Sequence, residues 1–126
     1  MCTLFIKQPL DEFLGFQYER VDENRIKVTL PIQPLYVNSV GVIHGGIISS
    51  LADVAMCNVI AANEDGTQRV VTTDLNVTFL KGAKGEYLIA HAHVFKQGRT
   101  LTHAECSIYD DQEKLVAKAK AILFNS

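Results

Sequence analysis

One carboxylate stands out in this chain because of its surroundings. Asp53 is the only formally charged residue in the stretch from His44 to Asn63, which reads HGGIISSLADVAMCNVIAAN. A carboxylate among apolar residues must be paired with another group, reach solvent through a gap, or take part in chemistry. The alternative is a solvated stripe of a helix, on which Asp53 lies with Ser49 and Cys57, four residues to either side. In a water-poor site, this carboxylate could act as a nucleophile or as a general base.

The two glycines before this stretch could bind a negatively charged oxygen. Gly45-Gly46 begins the predicted helix, and the free backbone N–H groups and the positive end of the helix dipole point out of a helix N-terminus. Glycine lets a substrate carbonyl approach those N–H groups closely. We therefore predict the N–H of Gly46, or that of Gly45, as an oxyanion donor. The alternative is a tight turn with no chemical role.

The segment that carries Asp53 has helical periodicity with a wide apolar face. Such a helix is surrounded by other structure and does not lie on a surface. We predict a long buried helix from about Gly45 to Ala62, ended by the turn residues Asn63-Glu64-Asp65-Gly66. Its apolar positions are Ile47, Ile48, Leu51, Ala52, Ala55, Met56, Val59 and Ile60.

Strands are predicted on both sides of that helix. A short helix after Pro9 precedes a hairpin from Phe16 to Ile32, whose turn lies near Asp22-Glu23-Asn24. Three or four long strands follow the helix, and we expect them to form an antiparallel meander. The fold class is therefore α+β, with one long helix against a curved sheet. The predicted strands run from about 69 to 80, 86 to 96, 100 to 109 and 114 to 124.

Composition restricts the function further. At 126 residues the chain is expected to be a single domain over residues 1–126. The net charge of −2, with no basic run, argues against nucleic-acid binding. No apolar stretch has the length of a membrane span, and the first residues lack the basic and apolar regions of a secretory signal. Cys2, Cys57 and Cys106 have no metal-ligand spacing and are interpreted as reduced thiols of a cytoplasmic protein, Cys57 as a buried inert one.

Spacing alone predicts a shared site. Gly46 and Asp53 are seven residues apart on one helix, which corresponds to roughly 10 Å along its axis. An aspartate side chain is too short to reach a carbonyl bound at the helix start. If both groups act on one carbonyl, they must come from different subunits, and a two-fold homodimer would contain two such sites.

The motifs along the chain resemble those of a known family. Asn38-Ser39-Val40-Gly41-Val42-Ile43-His44-Gly45-Gly46, followed by Leu51-Ala52-Asp53 on the helix, resembles the hotdog-fold thioesterases of the phenylacetic-acid-degradation type, in the 4-hydroxybenzoyl-CoA thioesterase superfamily. Residues 71–80 resemble that family's central strand, and Lys81-Gly82-Ala83 stands in place of its arginine-proline-alanine turn. Gln97-Gly98-Arg99-Thr100 resembles its hairpin near the coenzyme A tail. The resemblance extends over roughly residues 15 to 124.

This resemblance implies a function and an assembly. The expected activity is hydrolysis of an aryl- or medium-chain acyl-CoA to the free acid and CoA. The fold would be the hotdog fold, an antiparallel curved sheet wrapped around one long central helix. The protein is expected to act as a homodimer or as a dimer of dimers, a homotetramer. No metal or organic cofactor is expected, because CoA is part of the substrate and product.

The same resemblance assigns residue roles. It supports Asp53 as the attacking group or as the base that activates water, and it leaves that choice open. His44 and Asn38 are expected to contact the thioester or to order the loop. Thr72 is expected to orient the attacking water, and Gly98 and Arg99 to contact CoA.

Two other functions compete with this interpretation. A non-catalytic module that binds acyl-CoA or an acyl-carrier-protein thioester would have the same fold. A hotdog dehydratase would need a histidine base in a different loop context, and the sequence shows none. His91 and His93 share a strand face, but a metal site requires a full ligand set.

Overall fold

The computed structural model describes residues 4–126, so Cys2 lies outside the described residues. Within this part of the chain, no helix is both long enough and apolar enough to cross a membrane. The helices are α1 (Pro9–Leu14) and α2 (Gly45–Val59), and a 3-10 turn spans Pro34–Tyr36. The strands are β1 (Gln17–Asp22), β2 (Arg25–Pro31), β3 (Val70–Phe79), β4 (Tyr87–Gln97), β5 (Leu101–Asp110) and β6 (Leu115–Asn125).

The strands form one six-stranded antiparallel sheet in the order β1-β2-β4-β5-β6-β3. This sheet packs against α2, which confirms the predicted α+β class and the hotdog architecture. The meander prediction was right for β4, β5 and β6 and wrong for β3. β4 pairs with β2, so β3 pairs only with β6 and lies at the sheet edge. The strand expected to be central is therefore an edge strand within a single chain.

Helix α2 supplies the centre of the hydrophobic core. It ends at Val59, three residues before the predicted Ala62, and the chain becomes extended at Ile60. The guanidinium of Arg20, on β1, donates to the carbonyl oxygens of Asn58 and Val59 at 2.9 and 3.0 Å. These contacts satisfy carbonyls that would otherwise lack partners at the helix end. The fully buried apolar residues of α2 are Leu51, Ala52, Ala55 and Met56.

A β-bulge in β3 determines which of its side chains face α2. Thr72 pairs with Leu123 and Leu75 pairs with Ala121, and the register shifts between them. Leu123 and Ala121 are buried against the helix side of the sheet, so Thr72 and Leu75 face that side together. Thr73 is the extra residue. Bulges of this kind redirect side chains next to functional sites, and here the redirected side chain is Thr72.

Candidate active site

Asp53 is held by a hydroxyl from the edge strand. Its half-buried side chain points from α2 toward β3, where Thr72 Oγ1 donates a hydrogen bond to Asp53 Oδ1 at 2.5 Å. Hydrogen bonds from a hydroxyl to a carboxylate are typically this short. The structure thus brings together the carboxylate and the threonine selected from the sequence.

Cys57 completes a three-residue cluster with this pair. Its Sγ lies 3.2 Å from Thr72 Oγ1 and 3.8 Å from Asp53 Oδ1. Burial raises the pKa of the Cys57 thiol to about 12, and repulsion by Asp53 raises it as well. The thiol is therefore neutral at physiological pH and cannot serve as a thiolate nucleophile. This agrees with its interpretation as a buried, unreactive thiol.

The start of α2 exposes one free N–H donor. His44 is the N-cap residue, and its Nδ1 accepts the N–H of Gly46 at 2.9 Å. The next two N–H groups, of Ile47 and Ile48, donate to the His44 carbonyl oxygen. Among residues 4–126, no acceptor binds the N–H of Gly45. Of the two glycines considered from the sequence, Gly45 has the donor that a substrate oxygen could use.

Asn38 builds the loop that leads to this donor. Its Oδ1 accepts the N–H groups of Val40 and Val42 at 3.0 and 3.2 Å, and its own N–H donates to the Val42 carbonyl oxygen. The N–H of His44 then donates to the carbonyl oxygen of Tyr36 at 2.8 Å. Asn38 and His44 therefore fix the loop and the first helical turn, the roles that local side chain–backbone bonds commonly have.

A pocket of about 370 Å³, open to solvent and lined mostly by apolar residues, lies beside Gly45. The ring of Phe79 approaches so closely that a Cβ on Gly45 would lie 3.3 Å from it. Because glycine has no Cβ, the Phe79 ring can lie close to the free N–H of Gly45. The cavity can hold an apolar chain next to the donor. Its lining residues are Val42, Ile43, Gly45, Ile48, Phe79, Leu80, Lys81, Gly82 and Ala83.

The carboxylate and the free donor are separated within one chain. β3 touches α2 at both places, through Thr72 at Asp53 and through Phe79 at Gly45. Gly45 and Asp53 are eight residues apart on one continuous helix, or roughly 12 Å along its axis. A single carbonyl group cannot contact both groups of the same chain.

The hairpin predicted to contact CoA lies at the Thr72 end of the sheet. Asn125, which pairs with Val70 at the start of β3, donates its amide to the carbonyl oxygens of Gly98 and Arg99 at 2.9 and 3.2 Å. The backbone of this hairpin is thereby fixed. The Arg99 side chain is exposed, and the hairpin is not part of the Asp53–Thr72–Cys57 cluster.

Two residues lie near Asp53 although the sequence indicates this proximity weakly or not at all. Cys57 is one helical turn away, and that spacing was the only indication of a contact. Asp11 of α1 is 5% exposed, and burial raises its pKa, as does repulsion by Asp53, while a hydrogen bond from Gln8 lowers it. Nothing near Asp11 in the sequence indicates that it lies close to the helix carboxylate.

The described residues show no metal centre at this site. Residues 4–126 contain no group of three or more His, Cys, Asp or Glu side chains placed to hold a metal ion. His93 Nε2 lies 3.4 Å from Glu105 Oε2, and the ring of His91 packs edge-on against Tyr109.

Comparison with known proteins identifies related sequences and structures. The family model of the thioesterase superfamily matches residues 40–117 of this chain. Pseudomonas aeruginosa PA0474, which has the provisional name of esterase, is 34% identical over 121 residues, covering 94% of this chain and 90% of that protein. Mouse acyl-coenzyme A thioesterase 13 is 30% identical over 93 residues, 72% of this chain and 66% of that protein. The Bacillus halodurans protein BH2602, crystallised with CoA, superposes with a TM-score of 0.84 at 31% identity and covers 95% of this chain and 80% of that one.

Proposed function

The chain belongs to the thioesterase superfamily and is a thioester hydrolase, and from that membership we propose that its substrate is an aryl- or medium-chain acyl-CoA. The observation that carries this proposal is the free N–H of Gly45 beside an open, mostly apolar pocket of about 370 Å³. Such a cavity suits an apolar acyl group whose carbonyl binds at the helix start. Relatives named as acyl-coenzyme A thioesterases and a structural neighbour solved with CoA support coenzyme A as the thiol.

The reaction needs a polarised carbonyl and an attacking oxygen. The N–H of Gly45 and the positive end of the α2 dipole stabilise the negative charge that develops on the thioester oxygen. Asp53 provides or activates the attacking oxygen, and it does so through Oδ2, because Oδ1 is bound by Thr72. Oδ2 either attacks the carbonyl carbon and displaces CoA, leaving an anhydride that water cleaves, or removes a proton from the attacking water.

A two-fold dimer brings these functions together. β3 is an edge strand, and Val71, Leu75 and Phe79 on it are 48%, 37% and 50% exposed. Antiparallel pairing of β3 with its copy about a two-fold axis between Leu75 and Asn76 would place Thr72 opposite the partner's Phe79. Asp53 of one chain would then face the partner's Gly45, and symmetry would repeat this at a second site.

Further parts of the proposal concern the CoA tail and the assembly. Arg99, on the hairpin at the Thr72 end of the sheet, is proposed to contact a CoA phosphate, because a guanidinium pairs well with phosphate oxygens. The dimers are proposed to associate as tetramers. Cys57 and Cys106 are free thiols, which supports a reducing compartment such as the cytoplasm.

Hydrolysis of a panel of acyl-CoAs, followed with a thiol reagent, tests the proposed activity. We expect saturable release of one thiol per acyl group, with aryl and medium-chain substrates preferred over acetyl-CoA because they fill the apolar cavity. Binding of the same compounds without thiol release would instead establish the non-catalytic alternative. Equal rates for acetyl-CoA and a medium-chain acyl-CoA would contradict the role given to the cavity.

A further inference from the structure

We propose that Cys57 is a positioning residue, which holds the Thr72 hydroxyl on Asp53 Oδ1 and thereby leaves Oδ2 as the reacting oxygen. The inference rests on the proposed function of Asp53 and deepens it. Three atoms carry it: Cys57 Sγ, Thr72 Oγ1 and Asp53 Oδ1, with distances of 3.2 Å between the first two and 2.5 Å between the last two.

The numbers of protons and lone pairs on the three groups determine which group donates in each contact. A threonine hydroxyl has one proton and two acceptor lone pairs, whereas an ionised carboxylate only accepts. The Thr72 proton is donated to Asp53, so a hydrogen bond between Thr72 and Cys57 must use the thiol proton. The thiol has two acceptors within reach, Thr72 Oγ1 at 3.2 Å and Asp53 Oδ1 at 3.8 Å, and we assign its proton to the nearer one. Burial keeps that thiol protonated. The proton order is therefore Cys57 S–H to Thr72, and Thr72 O–H to Asp53.

This order determines what each group can do. Because its only proton is already donated, Thr72 cannot also donate to an attacking water, and its role becomes orientation of the carboxylate. The thiol removes the freedom of the hydroxyl to rotate away from Oδ1, and donation to Thr72 also polarises the O–H group. No described residue hydrogen-bonds to Oδ2 of Asp53. The cluster thus presents one fixed oxygen and one free oxygen.

Substitutions of Cys57 can separate hydrogen bonding from packing. Cys57→Ser keeps a donor and changes polarity, whereas Cys57→Val keeps an apolar side chain of similar size and removes the donor. With a positioning role, we expect the serine variant to retain most of kcat and the valine and alanine variants to lose about 3- to 10-fold, the range for one neutral hydrogen bond. KM should change little in all three. A packing role predicts the reverse order, with valine close to wild type and serine impaired.

A double-mutant cycle tests whether Cys57 acts through Thr72. Once Thr72→Val has removed the hydroxyl, Cys57→Ala should cause no further loss of kcat, because the partner of the thiol is gone. Independent, multiplicative losses would overturn the proposal. Urea unfolding of each variant reports any loss of stability separately.

The S–H stretching band gives a readout that does not depend on turnover. In a Cys2→Ser background two thiols remain, and among residues 4–126 Cys106 shows no hydrogen-bond partner. We expect the Cys57 band at lower frequency than the Cys106 band, and a shift of the Cys57 band toward that of Cys106 in Thr72→Val. Coincident bands in the unmodified cluster would refute the donation.

These measurements distinguish the failure of this inference from failure of the proposed function. If no acyl-CoA is hydrolysed, the proposed activity fails while the infrared bands still decide the hydrogen bond. If acyl-CoA is hydrolysed but valine outperforms serine at Cys57, the activity stands and the positioning role is wrong.

Discussion

Replacing Asp53 by asparagine is expected to lower turnover of the preferred acyl-CoA by at least ~100-fold, the lower range for loss of a general base. Asparagine keeps the shape of the side chain but has neither the basicity nor the negative charge that either mechanism requires. Thr72 can still donate to the amide oxygen, so the fold and the dimer should be preserved. Steady-state hydrolysis and analytical ultracentrifugation measure the two properties.

Asp11→Asn is the matched control for this substitution. It removes a second carboxyl that is buried and close enough to Asp53 for the two to repel, yet Asp11 has no place in the proposed chemistry. Its turnover should stay near that of wild type. Near-normal turnover of a folded Asp53→Asn dimer would remove Asp53 from the mechanism, and an equal loss in both variants would point to a general electrostatic effect.

Gly45→Pro should also cause a large loss, about 10²- to 10³-fold in kcat, the range for removal of one oxyanion-hole donor. Proline lacks the N–H and is well tolerated at the first position of a helix. The residue before it, His44, has φ −57° and ψ 132°, values near the polyproline II region, which a following proline favours. The helix start should therefore survive while its free donor is lost.

Gly45→Ala provides the control for added bulk. Its Cβ would meet the Phe79 ring at 3.3 Å, as the proline Cβ would, but alanine keeps the N–H. A movable side chain can absorb such a contact, so we expect the alanine variant to be far more active than the proline variant. Equal losses in the two would show that the ring contact, and not the missing donor, causes the defect.

The sequence predicted the helix and most of the sheet, because these depend on local patterns, and the family motifs indicated Asp53 and Thr72, which the structure brings together. Hydrophobic periodicity located α2, and the glycines marked its start. These patterns did not predict the position of β3, because strand pairing depends on how the chain passes around the helix. At the early end of the helix, the carbonyl oxygens of Asn58 and Val59 are bound by Arg20, a residue distant in sequence, which local patterns do not indicate.

Two details of the site could not be read from patterns. Strict alternation along β3 would place Thr72 on one face with Asp74, whereas the bulge at Thr73 puts it on the face of Leu75. Likewise, the choice between Gly45 and Gly46 as donor depends on the imidazole of His44, which accepts one of the two N–H groups. Both are matters of a single backbone or side-chain conformation, which composition and spacing do not determine.

The central claim is that each site combines Gly45 of one subunit with Asp53 of the other, and mixing two inactive variants tests it most directly. Asp53→Asn and Gly45→Pro homodimers each have two damaged sites. In a mixed dimer, one site receives both substitutions and the other receives the intact Gly45 of the first chain and the intact Asp53 of the second. Random exchange makes about half of the dimers mixed, each with one good site of two.

Co-refolding equal amounts of the two variants should therefore restore about a quarter of wild-type activity, a value that follows from two-fold symmetry. Both variants must first be shown to be folded dimers, and a mixture of each variant with itself serves as the blank. Restoration near a quarter would establish the shared site. If the donor and the carboxylate of one chain formed the site together, every site would keep one substitution, and mixing would restore no activity.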